Sequence, residues 1–215
     1  MGEKLQKKRD DYFRTFLYGG EILDGKYGFP IIRRSDAIPS NPLSFVEFRT
    51  KRTLSKRWLH FYAEDLNFEC VWTNPKGYLK MFQRCAGVMS PDFSLYGDLP
   101  QAYQIWNCFR NRALASWMQR NNVNVIPSVS WAGKESFDWC FDSLPVGGTV
   151  SVSGNGCYYN PYCRQRFIDG FQEMRQRLHP DVIVAVGYIP KELRKLSEVL
   201  ILPGYSQQRG ARENG

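Results

Sequence analysis

"PYCRQRFIDGFQEMRQRLHPDVIVAVGYIP", residues 161–190, holds the repeating unit of this chain in its clearest form. Pro161 suits the first position of a helix, where its missing N–H costs nothing. The helix runs to His179 and Pro180. Residues 180–190 then form an unbroken, largely β-branched run, the pattern of a strand covered on both faces. Working outward, the same alternation recurs. "WLHFYAED" (58–65) reads as a strand and "NPKGYLKMFQRC" (74–85) as a helix, with Asn74 as N-cap and Pro75 at the first helical position. "AGVMS" (86–90) is a short strand. "PQAYQIWNCFRNRALASWMQRNN" (100–122) is a long helix whose apolar stripe is Ala102, Ile105, Trp106, Phe109, Ala113 and Trp117, with Asn121-Asn122 as its stop. Strands follow at 123–133, broken by Pro127, and at 147–156, "GGTVSVSGNG", opened and closed by glycines. "KESFDWCF" (134–141) reads as a short helix, and "KELRKLSEV" with "LILPGY" (191–205) close the series.

Strand and helix alternate about five times, which implies parallel strands joined by right-handed helical crossovers. "GFPIIRR" (28–34) and "LSFVEF" (43–48) add two candidate strands. The expected fold is α/β, with six to eight mostly parallel strands in a small or incomplete (β/α) barrel. An open doubly wound sheet is the alternative. A full eight-unit barrel usually takes about 250 residues, so 215 would make an economical one. The expected organisation is a single domain over 1–215. It has a basic N-terminal extension at 1–57 with one or two strands, a repeated core at 58–203 and a polar tail at 206–215 that frays.

Composition narrows the classes. Hydrophobic residues make up 43% and charged residues 23%, ordinary for a globular chain. No apolar run approaches the roughly 20 residues that span a bilayer, and the charged start lacks a secretory apolar centre. The six cysteines form no CxxC pair and the two histidines, His60 and His179, stand apart from them. Reduced thiols in a cytoplasmic protein fit this pattern better than a zinc site. Haem and nicotinamide signatures are also absent, as are GxSxG, P-loop and HExxH motifs. The net charge of +8 is uneven: residues 1–60 hold 13 Lys and Arg against 7 Asp and Glu. The densest part is "RTKRTLSKR" (49–57), where Arg49, Lys51, Arg52, Lys56 and Arg57 stand without an acid. Such a cluster can contact nucleic-acid phosphates, or can be a solvated loop leading into a strand.

Ligands in parallel α/β folds bind at the carboxyl ends of the strands, where helix N-termini point. The polar residues of this chain gather at those ends. They are Asp65 after the first core strand, Asp92 and Ser94 after the second, and Ser130 and Trp131 after the third. Ser153, Gly154 and Asn155 follow the fourth, and Gly187 and Tyr188 the fifth. Asp65 and Asp92 are candidate catalytic carboxylates, as an acid/base pair or as ligands of Mg or Mn. The hydroxyls and glycines are candidate phosphate contacts and Trp131 a stacking surface. Each residue alone also has a structural reading, as a turn or capping group. Arg110 and Arg112 flank the long helix's stripe and suit either a phosphate or a neighbouring helix.

The segments "HFYAEDLNFECVWTNP" (60–75), "SPDFSLYGDLPQAYQIWNCFRNRALASWMQRN" (90–121), "VIPSVSW" (125–131), "FIDGFQEM" (167–174) and "HPDVIVAVGYIP" (179–190) resemble an uncharacterised bacterial and phage family, domain of unknown function 4417. "PDFSLY" joined to "QIWNCFRNR" is the most specific part. The family pattern carries a glycine before the third strand, where this chain has Asn122 or a residue near it. The resemblance implies a protein of a mobile element in a host cytoplasm and lends no catalytic residues. Two functions remain in view. One is association with DNA, RNA or nucleotides. The other is hydrolysis or transfer on a phosphate-containing substrate at the strand-end rim, with simple ligand binding as its milder form.

Overall fold

The computed structural model describes residues 2–48, 56–157 and 160–204. Among the described residues seven parallel strands carry the fold. β3 (Pro42–Ser44), β4 (Trp58–His60), β5 (Gly87–Met89) and β6 (Val125–Ile126) form one sheet in chain order. β7 (Thr149–Val152), β8 (Val182–Val186) and β9 (Val199–Leu202) form a second, also in chain order. Among the described residues one isolated parallel bridge, between Ser128 and Ser151, joins the two. There the Ser151 N–H donates to Pro127 O at 2.8 Å and the Val129 N–H to Ser151 O at 2.8 Å. Pro127 thus ends β6 without ending the register, because its carbonyl still accepts.

The expected alternation is present, and a closed barrel is not formed: among the described residues no strand pairing joins β9 back to β3. The strand order also never reverses, as a doubly wound sheet would require. "GFPIIRR" does not join the parallel strands. Its β2 (Phe29–Pro30) pairs antiparallel with β1 (Leu23–Asp24) in a separate two-stranded ribbon. "LSFVEF" divides between β3 and a short helix, α2 (Phe45–Phe48).

Alternation along each strand separates two faces. Leu59, Val88 and Val125 pack in an apolar cluster with Leu114 and Met118 of the long helix α5 (Gln101–Arg120) and Phe82 of α4 (Pro75–Phe82). Val150, Val152, Ile183 and Ala185 pack with Phe167, Phe171 and Met174 of α6 (Pro161–Leu178). On the other face Trp58, Tyr62, Met89, Ile126, Val184 and Val186 form one cluster, with Leu200 and Leu202 against it. Each fully buried aliphatic side chain contributes roughly 1.5–3 kcal/mol. Gly87 is required on that face because the Trp58 ring occupies the place of its side chain.

The helix ends follow from local chemistry. Asn74 caps α4, its Oδ1 accepting from the Gly77 N–H at 3.2 Å. Asn160 caps α6, accepting from the N–H groups of Tyr162 (2.9 Å) and Cys163 (3.3 Å). α5 departs from its expected stripe. Its second half is buried on every side, and Asn107, Asn111, Arg110 and Arg112 lie inside. Ala102, Ile105, Trp106 and Phe109 line an open groove instead. The polar residues are drawn in by specific partners. Asn111 accepts from the Phe93 N–H (2.7 Å) and donates to Phe93 O (3.0 Å), and Asn107 donates to Ser94 O (2.8 Å).

Candidate ligand cavity at the strand carboxyl ends

A cavity of about 570 Å³ opens past the carboxyl ends of β5, β6 and β7. That volume falls within the usual range for a small-molecule site. Asp92, three residues beyond β5, Ser130 and Trp131 beyond β6, and Ser153 and Asn155 beyond β7 all line it, with Ser94 at the edge. The opposite wall comes from the first turns of α6: Tyr162, Cys163, Arg166 and Phe167.

Asp92 is the unusual group. The residue is half-buried, yet its Oδ1 is shielded from solvent and has no hydrogen-bond partner. Burial pushes its carboxyl up to about 6; the nearby Asp65 charge adds to that push, and the Ser130 hydroxyl and Arg112 counter it. It therefore exchanges a proton near neutral pH. Beneath it the Tyr62 hydroxyl lies 2.8 Å from Ser151 Oγ and 3.2 Å from Ser128 Oγ, and Ser128 Oγ donates to Ser90 O at 2.6 Å. Burial, reinforced by the Asp92 charge, pushes the Tyr62 hydroxyl well above its usual range, so this network stays neutral.

Asp65 has a different role from the one its sequence position suggests. It opens a single 3₁₀ turn, and its carboxylate accepts from the Ser94 N–H (3.1 and 3.2 Å) and the Ser94 hydroxyl (3.0 Å). It fixes the loop that carries Asp92 rather than lining the cavity. Among the described residues no group of three or more His, Cys, Asp or Glu stands ready to hold a metal ion. Gly154, Gly187 and Tyr188 also stay out of the cavity wall. The Gly154 N–H donates to Tyr188 O at 3.0 Å, the Ser153 hydroxyl to Val186 O at 2.9 Å and the Tyr188 N–H to Asn155 Oδ1 at 3.4 Å. These bonds tie the end of β7 to the end of β8. A side chain on Gly187 would sit 2.6 Å from Asn155 Oδ1, and Gly187 also holds φ +83°.

Trp131 stands half-buried in the wall. Its indole N–H donates to Arg166 O at 3.2 Å, and its ring lies 5.3 Å from that of Phe167. Gly170 is needed behind it, because the indole fills the place of a side chain there. Arg166, which sequence reasoning passed over, donates from Nη2 to Ala132 O and lies 5.5 Å over the Tyr162 ring. Its sequence signal was position alone, in the second turn of a helix starting at the rim. Arg110 and Arg112 serve structure. Arg110 pairs with Glu69 (2.7 Å), and Arg112 donates to the carbonyls of Cys140 (2.6 Å) and Asp142 (3.2 Å). Cys157 also lines the cavity, and burial raises its thiol to about 11, which keeps it protonated. Of the basic cluster, Arg49, Lys51 and Arg52 lie outside the described residues. Lys56 is exposed, and Arg57 donates to Pro42 O at 3.2 Å.

Successive parallel strands delivering polar side chains to one mouth define an α/β protein with a cavity at its strand carboxyl ends, where ligands bind in folds of this class. Comparison with known sequences then places it: residues 22–202 match the family described as Domain of unknown function (DUF4417), and the chain belongs to that family. It is 32% identical over 186 residues to the Gene 1 protein of Mycobacterium phage D29, covering 85% of this chain and 69% of that one. It is 31% identical over 186 residues to the Gene 1 protein of Mycobacterium phage L5, covering 85% of this chain and 81% of the relative. No solved structure matches. No helix of the described residues is long and apolar enough to cross a membrane.

Proposed function

We propose that the strand-end cavity binds a phosphate-bearing small molecule of the nucleotide class, with Asp92 as the group that exchanges a proton with it. The observation that carries this reading is Asp92 itself: a carboxylate oxygen shielded from solvent, without a partner, in the wall of a cavity that also holds Arg166. A ligand N–H or O–H would satisfy Oδ1. The Arg166 guanidinium suits a phosphate, and Trp131 and Tyr162 offer rings to a base. The chain-order parallel strands, with side chains of β4, β8 and β9 sharing one cluster, support the finer reading of the fold as an incomplete (β/α) barrel. In such a fold this rim is the ligand end.

Calorimetric titration with nucleoside monophosphates and the matching nucleosides tests the reading. Binding of the phosphorylated ligand should weaken roughly tenfold or more in Arg166→Gln, the usual effect of losing a charge-assisted bond, while the nucleoside is unaffected. Asp92→Asn should weaken both. If no nucleotide binds, or if both variants match the wild type, the reading fails. Turnover of a bound ligand that is abolished in Asp92→Asn assigns acid/base catalysis, and binding without turnover assigns a sensor or carrier. Mg or Mn should contribute little, because the Asp65 carboxylate already accepts three bonds from Ser94.

A further inference from the structure

Two of the six cysteines, Cys157 and Cys163, stand in the wall of the strand-end cavity, and both are half-buried free thiols. They belong to different elements. Cys157 closes the turn that follows β7: its N–H donates to Gly154 O at 3.0 Å, and Gly156 before it holds φ +87°. The Gly154 N–H in turn donates to Tyr188 O, so this thiol is carried by the ends of β7 and β8. Cys163 lies in the first turn of α6, its N–H donating to Asn160 Oδ1 at 3.3 Å. Cys163 is near enough to add to the upward push that burial exerts on the Cys157 thiol. The other four cysteines are placed differently. Cys108 and Cys140 are buried, out of reach of a dissolved reagent. Cys70, in α3 (Glu69–Thr73), and Cys85, just beyond α4, pack against the apolar cluster of the long helix, and the Cys85 thiol donates to Met81 O at 3.6 Å.

We propose that Cys157 and Cys163 form a dithiol modification site, which a small-molecule disulfide of the glutathione class oxidises to an internal disulfide, and that the cavity admits a ligand only while the pair is reduced. The cavity brings the reagent to both thiols. In the first step the Cys163 thiolate attacks one sulfur of the small disulfide; a mixed disulfide forms on Cys163 and one small thiolate leaves. The Cys157 sulfur then gives up its proton and attacks the Cys163 sulfur, expelling the second small thiolate. Two protein thiols are thereby oxidised, one small disulfide is reduced to two small thiols, and those thiols take up the two protons. Cys163 attacks first because burial holds the Cys157 thiol up at about 11, protonated at neutral pH. Only five residues separate the two cysteines, so little chain entropy opposes the ring. A disulfide needs its two Cα atoms about 4.4–6.8 Å apart, so the bond pins the first turn of α6 to the end of β7. Asn155 lies on one side of that bond and Tyr162 and Arg166 on the other, all three in the cavity wall. The modification itself requires only the cavity, and its effect on nucleotide affinity is the one part that rests on the nucleotide reading.

The test incubates the full chain with oxidised glutathione, alkylates the remaining thiols and maps the peptides by mass spectrometry. Two of the six thiols should escape alkylation, and cleavage after the tyrosines between them should leave Cys157 and Cys163 joined. Cys157→Ser should stop at the mixed disulfide on Cys163. Cys163→Ser should react roughly tenfold more slowly than the wild type, because its remaining cavity thiol is protonated. Oxidation of the wild type should also alter the near-ultraviolet circular dichroism of Trp131 and slow hydrogen exchange in the first turn of α6, two readouts that need no ligand. A chain about nine-tenths oxidised should bind a nucleoside monophosphate roughly tenfold more weakly, since the competent fraction sets the apparent affinity, and dithiothreitol should restore it. If the reduced chain binds no nucleotide, the nucleotide reading fails while the map, the spectrum and the exchange still decide this proposal. A map without a Cys157–Cys163 bond overturns it. So does a bond that leaves the spectrum and exchange unchanged, or an oxidised chain that binds nucleotide as tightly as the reduced one.

Discussion

At the scale of single residues, Asn122 shows how much can be read from a local departure. The family resemblance places a glycine at this position or near it, and Asn122 itself sits at φ 59°, between α5 and β6. Glycine takes that conformation without cost, and asparagine is the common substitute. Asn122→Gly should leave stability almost unchanged, whereas Asn122→Val should lower it by about 1–2 kcal/mol in urea unfolding. The same scale sets the limit of sequence reading at the cavity. Asp92, Ser94, Ser130, Trp131, Ser153 and Asn155 could be assigned to one mouth because strand ends collect there. Asp65 could not be separated from them, since a carboxylate that holds a loop and one that faces a ligand look alike until Ser94 is seen donating to it. Arg166 was illegible for the converse reason, having no motif around it.

At the scale of elements, strand and helix order was legible and helix orientation was not. The apolar runs and the proline starts, Pro75 and Pro161, gave β5, β8, α4 and α6 their places. α5 misled because its apolar stripe in the first half faces the ring-lined groove, while Asn107 and Asn111 turn inward to satisfy the backbone of the 93–94 loop. Hydrogen bonds to a buried loop outweigh the exposure of a few apolar atoms. α6 and Trp131 depend on each other through Gly170. Gly170→Ala would drive a methyl group into the indole. It should cost about 1–3 kcal/mol, and the displaced Trp131 should change near-ultraviolet circular dichroism and weaken ligand binding at the cavity. A variant that melts like the wild type with an unchanged spectrum would contradict the packing described.

For the whole molecule, two buried titrating groups pull against each other as pH falls. His60 lies fully buried in β4, neither ring nitrogen has a partner, and burial lowers it to about 4. Its ordinary value is about 6.5, so the unfolded chain binds the proton first and stability drains away between about pH 6.5 and 4. Asp92 acts with the opposite sign. Its folded value of about 6 exceeds the unfolded value near 3.9, so stability grows as pH falls from 6 toward 4. Each effect is on the order of 3 kcal/mol, and water in the cavity trims that of Asp92. Together they nearly cancel, and melting temperature should be flat between pH 4 and 6. The variants expose the two slopes: His60→Leu should gain stability on acidification and Asp92→Asn should lose it. Parallel profiles for both variants would refute the opposition.

The junction at Ser128 and Ser151 has a bearing on inheritance as well as on shape. It divides the cavity wall: Asp92 precedes Ser128, Ser130 and Trp131 lie between the two bridged residues, and Ser153, Tyr162 and Arg166 follow Ser151. Neither portion carries the whole cavity wall. A truncation, an early stop or a recombination event that delivers one portion alone therefore yields a protein with half a mouth. Only reunion of both portions in one cell would restore it.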